Sequence, residues 1–192
     1  MIRIGLIGEA PNDTTAIRNL LQPSFGNKVQ LSSVIKSRRG GQMDSEKFAR
    51  MVKAELTDDQ KDLYVFIRDA DGVATEKAKL KKRKEWYCEL SKDTKRPTLF
   101  LLNIYELEAL IFADIDTFNH LYGSKIKSPG DVSMMSEPKD ELKHKTEKRK
   151  KYHESHCPDI FKKMNLETVK NNCRYFAEFV AELNKAVATI KK

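Results

Sequence analysis

The sequence predicts an α/β protein: a four-stranded parallel sheet with helices on both faces, followed by an α-helical C-terminal extension. Three observations carry this. Four short apolar runs, IRIGLIG (2–8), VQLSSVIK (29–36), DLYVFIR (62–68) and TLFLLNIY (98–105), are separated by helix-length segments. Strands that alternate with helices are joined by crossovers and pair in parallel. The first, third and fourth runs are apolar at nearly every position, as strands covered on both faces are. After Gly123 the alternation stops and the chain reads as loop and helix. Residues 1–123 are therefore read as the α/β core and 124–192 as a helical extension packed on it.

The elements follow in order. NDTTAIRNLLQ (12–22) is predicted helical, with Asn12 or Asp13 placed to cap it and Pro23 to stop it. Arg38-Arg39-Gly40-Gly41 reads as a loop. DSEKFARMVKAEL (44–56) is an amphipathic helix with Phe48, Met51, Val52 and Leu56 on one face. A helix is expected over about 74–90, and another over 106–123, closed by Gly123. Residues 124–140 have no period, and Met134-Met135 reads as a loop packing contact. Residues 139–155 are charged and helical, and 166–190 form one amphipathic helix. Its Val169, Cys173, Phe176, Val180, Leu183 and Val187 recur at helical spacing.

Composition bounds the class. Hydrophobic content of 40% with 33% charged residues describes a globular chain, not a disordered one. The apolar runs are too short to cross a bilayer, and MIRIGLIGEAPND reads as a first strand, not a signal peptide. A cytoplasmic protein with no membrane partner is expected. The net charge is +8, with bases concentrated in Lys77–Arg96 and Lys139–Lys151. Such an excess favours nucleic acid or another polyanion, although charge runs are as often solvated helix faces. Cys88, Cys157 and Cys173 are widely spaced, which argues for reduced thiols.

In a parallel sheet, ligands bind beyond the carboxyl ends of the strands. Here that edge is acidic. The first strand runs into Gly8-Glu9, with Asp13 one turn into the next helix. The third ends in Asp69-Ala70-Asp71-Gly72, and the fourth in Tyr105-Glu106-Leu107-Glu108. Two unit charges about 4 Å apart repel by roughly 4 kcal/mol at an effective dielectric near 20. A hard divalent ion turns that repulsion into ligation, and oxygen ligands favour Mg²⁺ or Mn²⁺. Two ions about 3.5–4 Å apart would suit phosphodiester cleavage. Each acid also has an ordinary use. Asp13 reads equally as a helix cap. One of Glu106 and Glu108 is expected to face solvent, since residues two apart on a helix do not share a face. Asp-x-Asp-Gly alone is common turn chemistry.

GEAPNDTTAIRNLL followed by VFIRDADG resembles a Toprim domain, the fold of primases, topoisomerases and OLD-family nucleases. YELEALIFAD, KKYHESHCPDIF and YFAEFVAEL resemble a narrower Toprim-like group of small bacterial proteins of unknown function, often encoded beside OLD- or ABC-class ATPases. The resemblance covers nearly the whole chain. It implies Glu9 as metal ligand or general acid/base, Asp69 and Asp71 as Mg²⁺ ligands, and Asp13 and Glu108 as further metal acids. Lys148 and Arg149 lie where related chains carry a basic pair, read either as a phosphate contact beside the metal or equally as a solvated basic helix, and Arg68 stands where an apolar residue is usual, placed to pair with an acid or touch a phosphate. The strand-one motif departs from the usual Glu-Gly, reading Glu9-Ala10-Pro11. The implied activity is a divalent-metal-dependent nuclease acting on DNA or RNA, in phage defence with an ATPase partner. The alternative is a non-catalytic subunit that binds nucleic acid or an ATPase through a vestigial metal site.

Asp69-Ala70-Asp71-Gly72 also resembles the nucleophile turn of haloacid-dehalogenase phosphatases. There the motif follows the first strand, whereas here it follows the third, so a phosphatase ranks third. GLIGEAPNDTT lacks the Gly-Lys-Ser/Thr ending of a P-loop. His153, His156, Cys157 and Cys173 match no zinc-finger spacing. They read as surface histidines and buried thiols.

Overall fold

The computed structural model describes residues 1–35, 43–58, 61–92, 94–147 and 150–190. Four strands, β1 (Ile2–Ile7), β2 (Val29–Ser33), β3 (Leu63–Asp69) and β4 (Thr98–Asn103), form one sheet in the order β2-β1-β3-β4, and all three pairings are parallel. Helices cover both faces. The predicted loop Arg38–Gly41 lies outside the described residues.

Strand alternation sorts the core into two layers. Ile2, Ile4 and Leu6 of β1 and Leu63, Val65 and Ile67 of β3 join one cluster with α1 (Pro11–Phe25) and the C-terminal helices. Ile7, Tyr64 and Phe66 point the other way, toward Phe48 and Val52 of α2 (Glu46–Asp58) and Trp86, Tyr87 and Leu90 of α3 (Lys77–Ser91). The Phe66 ring meets Trp86 and Tyr87 edge-on at 6.2 and 5.5 Å. Full burial of a side chain like Phe66 stabilises by roughly 1.5–3 kcal/mol.

Several boundaries differ from the sequence reading. Pro23 lies inside α1, which runs on to Phe25. Proline there removes one backbone bond close to the helix end, and the Ser24 hydroxyl donates to the Leu21 carbonyl nearby at 2.7 Å. The segment 106–123 is two helices, α4 (Ala109–Ala113) and α5 (Ile115–Tyr122), which part at Asp114. Tertiary bonds make the break: the buried Asp114 carboxylate accepts from the Asn165 N–H, and the Asn172 amide donates to the Ala113 carbonyl, each at 2.8 Å. Gly123 closes α5 in the left-handed conformation, φ 62°.

The extension contains α6 (Pro138–Thr146), α7 (Cys157–Phe161), α8 (Leu166–Asn172) and α9 (Arg174–Ile190). The expected 166–190 helix is interrupted at Cys173, where φ is −137°. All six of its periodic residues are nonetheless buried, because α8 packs on α4 and α9 on β4 within the same layer. Residues 150–153 are not helical, and a short 3-10 turn, Glu154–His156, leads into α7. Met134 is 50% exposed, so only Met135 of that pair packs on the core. Cys157 and Cys173 are buried free thiols, and Cys88 is exposed. No helix among the described residues is long and apolar enough to cross a membrane.

Candidate functional site

The carboxyl edge of the sheet is built by short-range rules. Gly8 follows β1, and a Cβ there would lie 2.9 Å from Thr14 Cγ2. Only glycine lets the first turn of α1 sit so close to the strand end. Asp13 occupies that turn, and its Oδ2 accepts from the Ala10 N–H at 3.0 Å. It therefore caps the helix and lines the cleft at once. On β3, alternation sends Asp69 to the face of Leu63, Val65 and Ile67, and Arg68 to the opposite face. Asp69 stands level with Asn103 of β4, whose Nδ2 donates to Asp69 Oδ1 at 3.0 Å. Asn103 Oδ1 is buried without a donor among the described residues.

A cavity of about 180 Å³ opens at this edge, lined by the four carboxylates Glu9, Asp13, Asp69 and Glu108, by the largely exposed Glu154, and by Lys139 and Cys157. The four carboxylates come from the β1–α1 turn, the end of β3 and the approach to α4. Desolvation raises all four pKa values. Asp13 is pushed to about 7, with the Ala10 N–H opposing and Glu108 and Glu9 adding repulsion. Asp69 is held well above the ordinary range by desolvation and then by the neighbouring Asp13. Glu108 and Glu9 are raised by burial, against the pull of Lys139 and Arg68 respectively. Neither Asp13 nor Asp69 has an ion-pair partner among the described residues.

Two cationic groups border the cleft. Lys139 Nζ lies 3.8 Å from Glu106 and from Glu108, and 3.3 Å from Glu154. Glu106 thus faces Lys139, not open solvent. Residues 106–108 precede α4, so the helical two-apart rule does not apply to them. On the far side, Arg68 is 3% exposed and lies 4.4 Å from the centre of the Trp86 ring. It pairs with Asp44 at 2.9 Å and with Glu9 at 3.5 Å. Arg83 of α3 bridges Asp44 and Asp71. Asp71 is 60% exposed on its side chain and does not line the cavity. The structure therefore gathers Glu9, Asp13, Asp69 and Glu108, and turns Asp71 outward onto Arg83. Lys148 and Arg149 lie outside the described residues.

Behind Glu108, the Tyr152 hydroxyl donates to its Oε1 at 3.0 Å and contacts Cys157 Sγ at 3.0 Å. The backbone around the cleft is strained. The non-glycine residues with positive φ among those described are Asp71 (54°), Tyr105 (63°) and Glu137 (51°), and each lies within three residues of a cleft or rim side chain. The Asp71 and Tyr105 turns are stitched together: the Asp71 N–H donates to the Tyr105 carbonyl, and the Tyr105 N–H to the Gly72 carbonyl, both at 3.0 Å. Such conformations cost about 1–3 kcal/mol each and cluster at functional sites.

The all-oxygen donors, desolvated and mutually repelling, suit a hard divalent cation in their chemistry. Among the described residues, no group of three His, Cys, Asp or Glu side chains is arranged to hold a metal ion. Lys139, Asp44, Arg83, Asn103 and Tyr152 had no assigned role in the sequence. Asn103 alone carried a signal, as a polar residue inside the apolar run 98–105.

No curated protein and no solved structure matches the chain. The match to Domain of unknown function (DUF4276) spans residues 9–184, from Glu9 itself into α9, and the chain belongs to that family.

Proposed function

We propose that this chain is a Toprim-type nuclease that hydrolyses phosphodiester bonds of DNA or RNA with Mg²⁺ or Mn²⁺, acting in the cytoplasm. One observation carries the reading: four carboxylates from three separate segments share one desolvated cleft at the ligand-binding edge of a parallel sheet. Unneutralised, that arrangement is costly. A bound divalent ion would offset the repulsion, polarise a phosphoryl oxygen and lower the pKa of the attacking water. Asp69, Asp13 and Glu108 have the oxygens that would hold it, and since no three acids among the described residues are arranged as a metal site, they would have to draw together around the ion. Asn103 fixes one Asp69 oxygen. Tyr152 fixes one Glu108 oxygen. Glu9, whose pKa burial raises, is the group placed to exchange a proton, and Arg68 pairs with its Oε1. Lys139 lends positive charge beside the phosphate.

A second reading has its own support. Lys139, Arg68 and Arg83 already neutralise much of the rim, as they would in a non-catalytic subunit that binds nucleic acid or an ATPase. Incubation of the purified chain with plasmid DNA and with RNA, with and without Mn²⁺, separates the two. Metal-dependent cleavage is expected, and Asp69→Asn is expected to lower it by more than about 100-fold, beyond what outer contacts to a metal site usually cost. Mn²⁺ is also expected to raise the melting temperature of the wild type and not of that variant. If neither protein cuts and both bind equally, the binding subunit stands. The place in phage defence, with an OLD- or ABC-class ATPase controlling the site, rests on the Toprim-like resemblance alone, and cleavage that appears only with such an ATPase would support it.

A further inference from the structure

Helix α3 opens on KAKLKKRK, residues 77–84, six bases in eight positions with no acid. Three physical effects oppose this pattern in an isolated helix. Cations at an N-terminus meet the positive end of the helix dipole. Lys77 and Lys81 are four apart, and Lys81 and Lys84 three apart, so like charges stack on one stripe. The apolar anchor of the helix, Trp86, Tyr87 and Leu90, lies beyond this segment.

Two of the six bases are already occupied. Lys79 Nζ binds Glu76 at 2.7 Å and the Asp71 carbonyl at 2.8 Å, and Arg83 bridges Asp71 and Asp44. These two tie α3 to the rim of the cleft. Lys77, Lys81, Lys82 and Lys84 are exposed. Lys77, Lys82 and Lys84 have no ion-pair partner among the described residues, and Lys81 has only a solvent-exposed pair with Glu85 at 3.7 Å.

We propose that the stripe Lys77–Lys81–Lys84, flanked by Lys82, is a docking surface for the phosphate backbone of a nucleic acid, read through charge and not through bases. A seven-residue helical span is about 10 Å, the length of roughly three phosphates along one strand. The aromatic residues of α3 cannot stack on bases from this face, because Trp86 and Tyr87 pack inward against Phe66 and Phe100. Binding through such a surface is sequence-independent and strongly salt-dependent. The proposal rests on the nucleic-acid part of the nuclease reading, and it is measurable without cleavage.

The test is fluorescence anisotropy with labelled duplex DNA, duplex RNA and single-stranded DNA, in EDTA, over a salt series. The wild type is expected to bind without regard to sequence. The triple variant Lys77→Ala, Lys81→Ala, Lys84→Ala is expected to bind about tenfold or more weakly near physiological salt, with the slope of log K against log salt reduced by about 2–3. Its melting temperature without nucleic acid should not fall. A control triple of exposed lysines on the extension, Lys162→Ala, Lys163→Ala, Lys185→Ala, removes the same net charge and is expected to change affinity less than about twofold. Equal loss in both triples, an unchanged slope, absence of wild-type binding to every nucleic acid, or preference for phosphatidylserine vesicles overturns the proposal. A protein that binds through the stripe but never cuts with Mn²⁺ sinks the nuclease reading and leaves this one standing. A protein that cuts but binds independently of the stripe does the reverse.

Discussion

On the side of the rim that faces α1 and α6, Asp13 and Asp69 are desolvated with no ion-pair partner among the described residues, and Glu108 shares one lysine with two other acids. On the side that faces α3, Asp44 and Asp71 are largely exposed, and both are held by arginine. Glu9 joins the two regions, paired with Arg68 yet lining the cleft. The α3 side satisfies its charges within the fold. The α1 side leaves its carboxyls with raised proton affinity, a condition that suits a ligand cation. Identical side-chain types thus behave oppositely a few residues apart, and place in the fold decides which.

The contrast is broken or sharpened most strongly by pH. Asp13 titrates near 7 in the fold and near its ordinary value, about 4, when unfolded. The native state therefore holds a proton that the unfolded chain releases, and stability present below pH 4 is lost as pH rises toward 7. The slope is at most about 1.4 kcal/mol per pH unit. Asp44 is lowered by its hydrogen bond with Arg68, so its contribution is present above the ordinary range and lost as pH falls through its depressed folded value. In metal-free melting series, Asp13→Asn should flatten the decline between pH 4 and 7, and Asp44→Asn should alter only the acidic end. The same pH signature in both variants would erase the distinction.

A smaller effect is expected from Arg68→Met. It leaves Glu9 without its partner, leaves Asp44 with Arg83 alone, and removes the contact with Trp86. Loss of one member of a buried pair costs about 3–5 kcal/mol, and the partial exposure of both acids reduces this to about 2–3 kcal/mol. Denaturant midpoints measure it, and a neutral result would show that the α3 side gains nothing from its internal neutralisation. The smallest effect belongs to Tyr152→Phe. Removing the hydroxyl donor to Glu108 should cost about 1 kcal/mol in stability and raise the Glu108 pKa, read from the pH profile of cleavage. An unchanged profile would mean that Tyr152 does not position Glu108.

Much of this was legible residue by residue. The four apolar runs are the four strands, and the buried face of 166–190 is the one its periodicity marks. Glu9, Asp13, Asp69 and Glu108 were each singled out by position at a strand end or helix start. Asp71 goes with Asp69 in the Asp-x-Asp pair of the Toprim resemblance, and in sequence the two acids of that turn look equivalent. Its positive φ and the reach of Arg83 separate them, and neither appears in a local pattern. The helix breaks at Asp114 and Cys173 were likewise hidden. Asp114 exchanges helix continuity for a bond to Asn165, which lies 51 residues away.

Period, strand ends and charge runs are local properties, so the order of residues alone was enough to establish an α/β chain with an acidic sheet edge and a basic third helix. Which acids share a desolvated cleft, which are silenced by arginine, and that Lys139 reaches across from α6 were settled only when distant segments packed. Ion pairing and desolvation depend on separations in space and on exclusion of water, and neither is a property of a residue or of its immediate neighbours in the chain.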